Sequence, residues 1–119
     1  MYIRNKSFIL KDDAKIFDVI SNLNKTGYLI CLIEDSSGKL LGTITDGDIR
    51  RALLEGKTLE NLAIEIMISN PVVSYADSSD EHNNHLIKQH HVKQIPIVDG
   101  RNIWINDNKE LKKVAAIGI

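Results

Sequence analysis

The stretch Gly42-Thr43-Ile44-Thr45-Asp46-Gly47-Asp48-Ile49-Arg50-Arg51 holds the residues best placed to do chemistry. It reads as a strand end running directly into a helix start. The unpaired N–H groups and the dipole at such a start favour an anion such as phosphate. Thr45 caps that helix or offers its hydroxyl to a phosphate oxygen. Gly42 and Gly47 let a ligand approach the backbone closely. Asp48, one turn in, is positioned to accept hydrogen bonds from both hydroxyls of a ribose. Arg50 and Arg51 add positive charge nearby. Thr-x-x-Asp at a helix start is also a plain capping arrangement, so the context of the motif matters.

Other chemistry-bearing residues form weaker patterns. His82 and His85 stand three apart on an expected helix, with His90-His91 following. No cysteine joins them and the helix is polar throughout, so a solvated face is preferred to a metal site. Asp12 and Asp13 read as helix caps. Asp46 and Asp48 share a tight turn, with separate directions. Cys31 lies inside an apolar run and reads as a packed core residue, not a nucleophile. Asp35-Ser36-Ser37-Gly38-Lys39 lacks phosphate-loop spacing and reads as a hairpin turn. Trp104 alternates with Ile103 and Ile105 and reads as a packing residue. No set of residues has the arrangement of an enzyme's catalytic group.

The elements that must position the motif follow from periodicity. Ser7–Leu10 is a short strand. Ile16, Phe17, Val19, Ile20 and Leu23 recur at helical spacing, and Gly27 ends that helix. Tyr28–Ile33 is an unbroken apolar run of strand length. With Lys39–Thr45 it forms a hairpin. A second helix covers Asp48–Glu55 and stops at Gly56. Lys57–Ser69 is a connector whose Leu59, Leu62, Ile66 and Met67 make an apolar face. Pro71 then restarts the chain. Val72–Tyr75 is a strand, and Asp77-Ser78-Ser79 caps a polar helix to about His90. Gln94–Val98 is a strand, Asp99-Gly100 a turn, Asn102–Asn106 a strand, and Lys109–Ala115 a final helix. The order strand–helix–strand–strand–helix thus occurs twice, with Cys31 matched by Pro96. Such duplication means that the units pack on each other, because neither buries its apolar face alone.

The chain has 119 residues, 43% apolar and 26% charged, with fifteen basic and sixteen acidic side chains and a net charge of -1. That balance gives no electrostatic footprint for nucleic acid or an anionic membrane. No apolar run has the length to span a bilayer, and residues 1–7 lack a signal-peptide pattern. A single cysteine fits a reducing, cytoplasmic location.

Taken together, Gly42 through Asp48, the matching Ile95-Pro96-Ile97-Val98-Asp99, and the connector Ile66-Met67-Ile68-Ser69-Asn70-Pro71 resemble a tandem pair of CBS (cystathionine-β-synthase) domains, a Bateman module. The likeness covers nearly the whole chain. Thr45 to Arg51 further resembles pairs attached to sugar-phosphate isomerases and sugar nucleotidyltransferases. The resemblance implies an α/β (α+β) fold of two repeats, residues 1–58 and 59–119, packed with pseudo-two-fold symmetry. It implies a regulatory, non-enzymatic module that senses an adenosine-type ligand (AMP, ADP, ATP or S-adenosylmethionine) for an attached or partner enzyme, with no required cofactor. The alternative is an interaction module that has lost its ligand. By the same likeness Asp48 holds the ribose, Thr45 sits near the phosphates with Gly42, Gly47 and Arg51 around it, and Tyr28 and Ile30 line the base pocket. Such modules commonly pair. A homodimer is expected through the helix bearing Ile16, Ile20 and Leu23 or the one bearing Ile49 and Leu53. The second repeat departs from the pattern: Trp104, Asp107 and Glu110 stand where the motif has glycine, threonine or serine, and aspartate. The second cleft is therefore expected to bind poorly.

Overall fold

The computed structural model describes residues 2–3, 5–75, 77–106 and 109–118, with side chains considered for residues 3, 5–75 and 77–98. Two sheets organise the described residues. Strands β1 (Tyr2–Ile3), β2 (Ile9–Lys11), β3 (Ile30–Glu34), β4 (Leu40–Thr45), β5 (Ser74–Tyr75), β6 (Ile95–Asn106) and β7 (Lys109–Gly118) alternate with helices α1 (Ile16–Thr26), α2 (Asp46–Leu54) and α3 (Asp80–Gln89). One sheet has the order β2-β3-β4 and the other β1-β7-β6-β5.

The first unit forms as its local sequence dictates. Strand β2 runs parallel to β3, and β3 pairs antiparallel with β4. Parallel pairing requires a crossover, and α1 supplies it. The apolar stripe of α1 faces inward: Ile16 and Val19 are fully buried, and Ile20 and Leu23 pack on the same cluster as Cys31, Ile33, Ile44 and Ile49. The expected caps at Asp12 and Asp13 are not used. These two residues lie in a turn in which the Ala14 N–H donates to the Lys11 carbonyl, and α1 begins only at Ile16. There the Asp18 carboxylate reaches back to accept the Lys15 N–H at 2.9 Å. Gly27 ends the helix at φ 71°, a left-handed conformation that costs glycine least. Between β3 and β4 the Asp35 side chain accepts from the N–H groups of Ser37 and Lys39, which is the expected turn.

The connector differs from its expected face. It makes one 3₁₀ turn at Ala63–Glu65, with Ala63 fully buried. Ile66 and Met67 pack on the first core, whereas Leu59 and Leu62 stay exposed. The connector then pairs with β4: Thr43 N–H donates to the Ile68 carbonyl at 3.1 Å, and Ile68 N–H donates back at 2.9 Å.

The second unit begins in the same way. Strand β5 runs parallel to β6, with α3 between them, capped by Ser79 as expected. Helix α3 ends with the Val92 N–H on the Ile87 carbonyl and the His91 N–H on the Lys88 carbonyl, with His91 at φ 53°. This is a Schellman motif with histidine in the usual glycine position. Beyond Val98 the expectation fails. Residues 109–115 are not a helix but part of β7, antiparallel to β6, and the expected Asp99-Gly100 turn is absorbed into β6 at a register shift between Asp99 and Trp104. Strand β7 also pairs with β1, so it carries a ladder on both edges. Ladder hydrogen bonds to β6 outweigh the modest helix preference of Lys-Glu-Leu-Lys-Lys. Glu110 therefore stands opposite Ile105 in a ladder and does not occupy the first turn of a helix. Asp107 and the side chains of Trp104 and Glu110 lie outside the described part of the structure.

Candidate functional site

A cavity of about 620 Å³ opens between the two units. The first unit contributes Leu29 and Ile30 at the start of β3, Thr43 and Thr45 from β4, and Asp46, Gly47, Asp48 and Arg50 from α2. The connector contributes Ile68 and Asn70–Val72, and residues 91–96 close the other side. The volume lies within the usual ~300–1,000 Å³ of small-molecule sites.

The sequence places these groups for local reasons. Strand β4 ends at Thr45, whose extended backbone turns the chain into α2. The Asp48 carboxylate accepts the Thr45 N–H at 2.9 Å and the Thr45 hydroxyl at 3.0 Å on one oxygen. Its other oxygen takes the Arg51 guanidinium at 2.7 Å. Asp48 is only 8% exposed, so this network holds a buried carboxylate in one orientation. The capping function is thus realised, and the same carboxylate still lines the cavity. The first N–H groups of α2 have no carbonyl one turn back. Arg50, also at the cavity, is paired with Asp46 at 2.7 Å.

Four of the seven residues expected at a ligand, Ile30, Thr45, Gly47 and Asp48, line this cavity. The other three do not. Tyr28 packs edge-on against Phe8, with ring centroids 6.1 Å apart, and its hydroxyl accepts from the Asn5 amide at 3.1 Å. It belongs to a core cluster with Phe8 and Leu32 because a large ring beside β3 gains more from burial there. Arg51 lies behind Asp48 and acts on that carboxylate. Gly42 makes room for the connector rather than a ligand: a Cβ there would sit 2.6 Å from the Ile68 carbonyl oxygen and 2.7 Å from the Met67 sulfur.

Sequence reasoning missed Gln94, Lys93, His91 and the connector residues Asn70–Val72. Gln94 is 7% exposed, and its Oε1 accepts the Leu29 N–H at 2.9 Å, tying the two units together at the cavity. A polar residue directly before a buried apolar strand was the available signal. Cys31 is fully buried, and desolvation pushes its thiol up to about 12, as expected of a core residue. No group of three or more metal-ligating side chains occurs among the described residues. No helix of those residues is long and apolar enough to cross a membrane.

This architecture, two strand–helix–strand units with a cleft between them, is that of a CBS domain pair. Residues 2–55 match the CBS domain family. The CBS domain pair of protein MJ0100, solved in complex with methylthioadenosine and S-adenosyl-L-methionine, superposes with a TM-score of 0.73 at 25% identity, over 92% of this chain and 82% of that one. The cytosolic domain of the Mg2+ channel MgtE, solved with ATP, shares the fold at 15% identity, with a TM-score of 0.72 over 97% of this chain and 43% of that one. Arabinose 5-phosphate isomerase GutQ of Salmonella typhi is 29% identical over 86 residues, 72% of this chain and 27% of the isomerase. Residues 2–55 are a CBS domain, and the described residues share the fold of CBS domain pairs. It spans only 27–28% of the length of the curated relatives it matches.

Proposed function

We propose that this chain is a regulatory module of two CBS units, residues 1–58 and 59–119, that binds an adenosine-type ligand in the cleft between them. The observation that carries the reading is the buried Asp48 carboxylate, held rigidly at the wall of a cavity to which both units contribute. Asp48 Oδ2 already accepts two hydrogen bonds from Thr45, whereas Oδ1 accepts only from Arg51 and keeps a lone pair for a ribose hydroxyl. Ile30, Val72 and Pro96 supply apolar surface for a base. The MJ0100 pair, which binds two adenosine derivatives, supports the ligand class. The likeness to part of a sugar-phosphate isomerase supports a sensor role for an attached or partner enzyme in the cytoplasm. The module regulates and does not itself catalyse.

Calorimetry with AMP, ATP, S-adenosylmethionine and methylthioadenosine tests this reading. At least one should bind, with no more than one site per chain, and Asp48→Ala should weaken it by about 1.5–3 kcal/mol. Circular dichroism must show that the variant is folded. Unchanged affinity in a folded variant removes Asp48 from the site.

A second reading has its own support. Phe17, Leu53, Leu54 and Leu59 leave apolar surface exposed, with Leu54 83% exposed. Of the helix residues expected to pair copies, Ile16 and Ile49 are buried in the first core and Ile20 and Leu23 are partly buried against it, so Leu53 is the exposed one of that set. We propose that these exposed residues pair two copies into a homodimer, whether or not a ligand binds. Sedimentation that shows only monomer at tens of micromolar sinks the dimer.

A further inference from the structure

We infer that Arg51 is the positioning residue of the ribose site: it fixes the Asp48 carboxylate from outside the cleft, and Gly47 makes the room it needs to do so. This rests on the adenosine-ligand reading above and adds to it a residue that does not line the cavity. The terminal torsion of an aspartate is soft, so its carboxylate presents a fixed acceptor only when both oxygens are held. Thr45 gives Asp48 two donors, its N–H at 2.9 Å and its hydroxyl at 3.0 Å, but both fall on Oδ2. Two bonds to one oxygen leave the other free to swing. The Arg51 guanidinium, at 2.7 Å, is the group that holds Oδ1. Of the roughly four acceptor directions of a carboxylate these bonds fill three, and the one left, on Oδ1, faces a ribose hydroxyl. Arg51 therefore decides where that remaining direction points.

The surroundings single out Arg51 for this task. Its neighbour Arg50 is taken by Asp46 at 2.7 Å, so the two arginines are divided between two aspartates. The Asp48 side chain is 8% exposed and that of Arg51 68%, so the guanidinium reaches back over the first turn of α2 from solvent to a buried carboxylate. Its path crosses Gly47. A Cβ there would stand 3.3 Å from Arg51 Nη1 and 3.6 Å from Nη2, and the three nearest atoms all belong to Arg51. Gly47 is helical and lacks the positive φ found at Gly27, Gly38 and Gly56. Its backbone would accept alanine, which is the better helix former. What the glycine provides is the space in which the guanidinium lies. Gly47, expected to admit a ligand, thus admits Arg51.

The test reads ribose recognition and not affinity alone. AMP and methylthioadenosine are each compared by calorimetry with their 2′-deoxy and 3′-deoxy forms. On the unaltered chain the ribose compound should bind at least about tenfold tighter than the weaker deoxy form, as a lost hydrogen bond to a charged group requires. Arg51→Met keeps the apolar stem and removes the guanidinium. It should reduce that ratio to about threefold or less, chiefly by weakening the ribose compound. Gly47→Ala should reduce the ratio in the same direction while the melting temperature holds or rises, since the added methyl displaces the guanidinium but suits the helix. The ratio separates positioning from a merely structural role, because general loosening, or a methyl in the ligand's way, weakens every form alike. An unaltered ratio in either folded variant overturns the inference, including a Gly47→Ala that weakens every form equally. If AMP and methylthioadenosine both fail to bind the unaltered chain, the adenosine reading falls instead. Equal binding of ribose and deoxy forms to the unaltered chain removes Asp48 from the site, and Arg51 with it. Gly47→Ala decides the matter even if Arg51→Met does not fold.

Discussion

Gly42→Ala should destabilise the protein strongly, although the position faces no ligand. An added Cβ would stand 2.6 Å from the Ile68 carbonyl oxygen, 2.7 Å from the Met67 Sδ and 2.8 Å from its Cγ. Methionine can swing away at small cost, but the carbonyl belongs to the backbone. Moving it strains the two hydrogen bonds that join Thr43 to Ile68. Overpacking of this kind costs about 1–3 kcal/mol, and each weakened backbone bond up to about 1 kcal/mol more. A loss of about 2–4 kcal/mol is expected, against a total stability of about 5–15 kcal/mol. In a domain of this size each kcal/mol moves the melting temperature by roughly 3–6 °C. Urea unfolding should show an earlier midpoint with an unchanged slope. Because Ile68 also lines the cavity, ligand affinity should fall along with stability. A midpoint within about 0.5 kcal/mol of the parent protein would refute the reasoning, since it would mean that the connector yields freely. Lost binding with full stability would refute it differently, by returning Gly42 to the ligand.

Three further outcomes are expected. Cys31 should resist alkylation at pH 8 in the folded protein and react only on unfolding, because burial keeps its thiol protonated. Its raised value also sets a sign: the folded state holds the proton more tightly, so its contribution is intact below about 9 and is lost as pH rises from about 9 towards about 12, which denaturant titrations across that range would show as falling stability. Ser74→Ala should be neutral or stabilising by up to about 1–2 kcal/mol, because the Ser74 hydroxyl is buried without a hydrogen-bond partner among the described residues; a lower melting temperature would reveal a partner. His91→Gly should raise the melting temperature slightly, by up to about 1 kcal/mol of stability, since glycine adopts the left-handed position that closes α3 more readily; a drop would show that the histidine side chain is held in place.

Most elements of the first unit were legible because their signals are local. The stripe of Ile16, Val19, Ile20 and Leu23 (though not Phe17, which is exposed), the stop at Gly27, the Asp35 turn and the strand-to-helix motif at Thr45 each depend on neighbours within one turn or one hairpin. The same locality made Asp48 and Thr45 visible as a pair, since i and i+3 at a helix start must meet. What the sequence could not decide was which distant groups share a space. Gln94 reaches the cavity only because β3 and β6 start side by side across the two units, and Gly42 is required only because the connector lies against β4. Tyr28 was drawn away from the site by Phe8, a choice made by burial and not by position along the strand. Residues 109–115 show the limit most plainly. Their helical composition is a weak local preference, and antiparallel pairing with β6 makes them a strand, because that distant partner satisfies their backbone hydrogen bonds in the sheet.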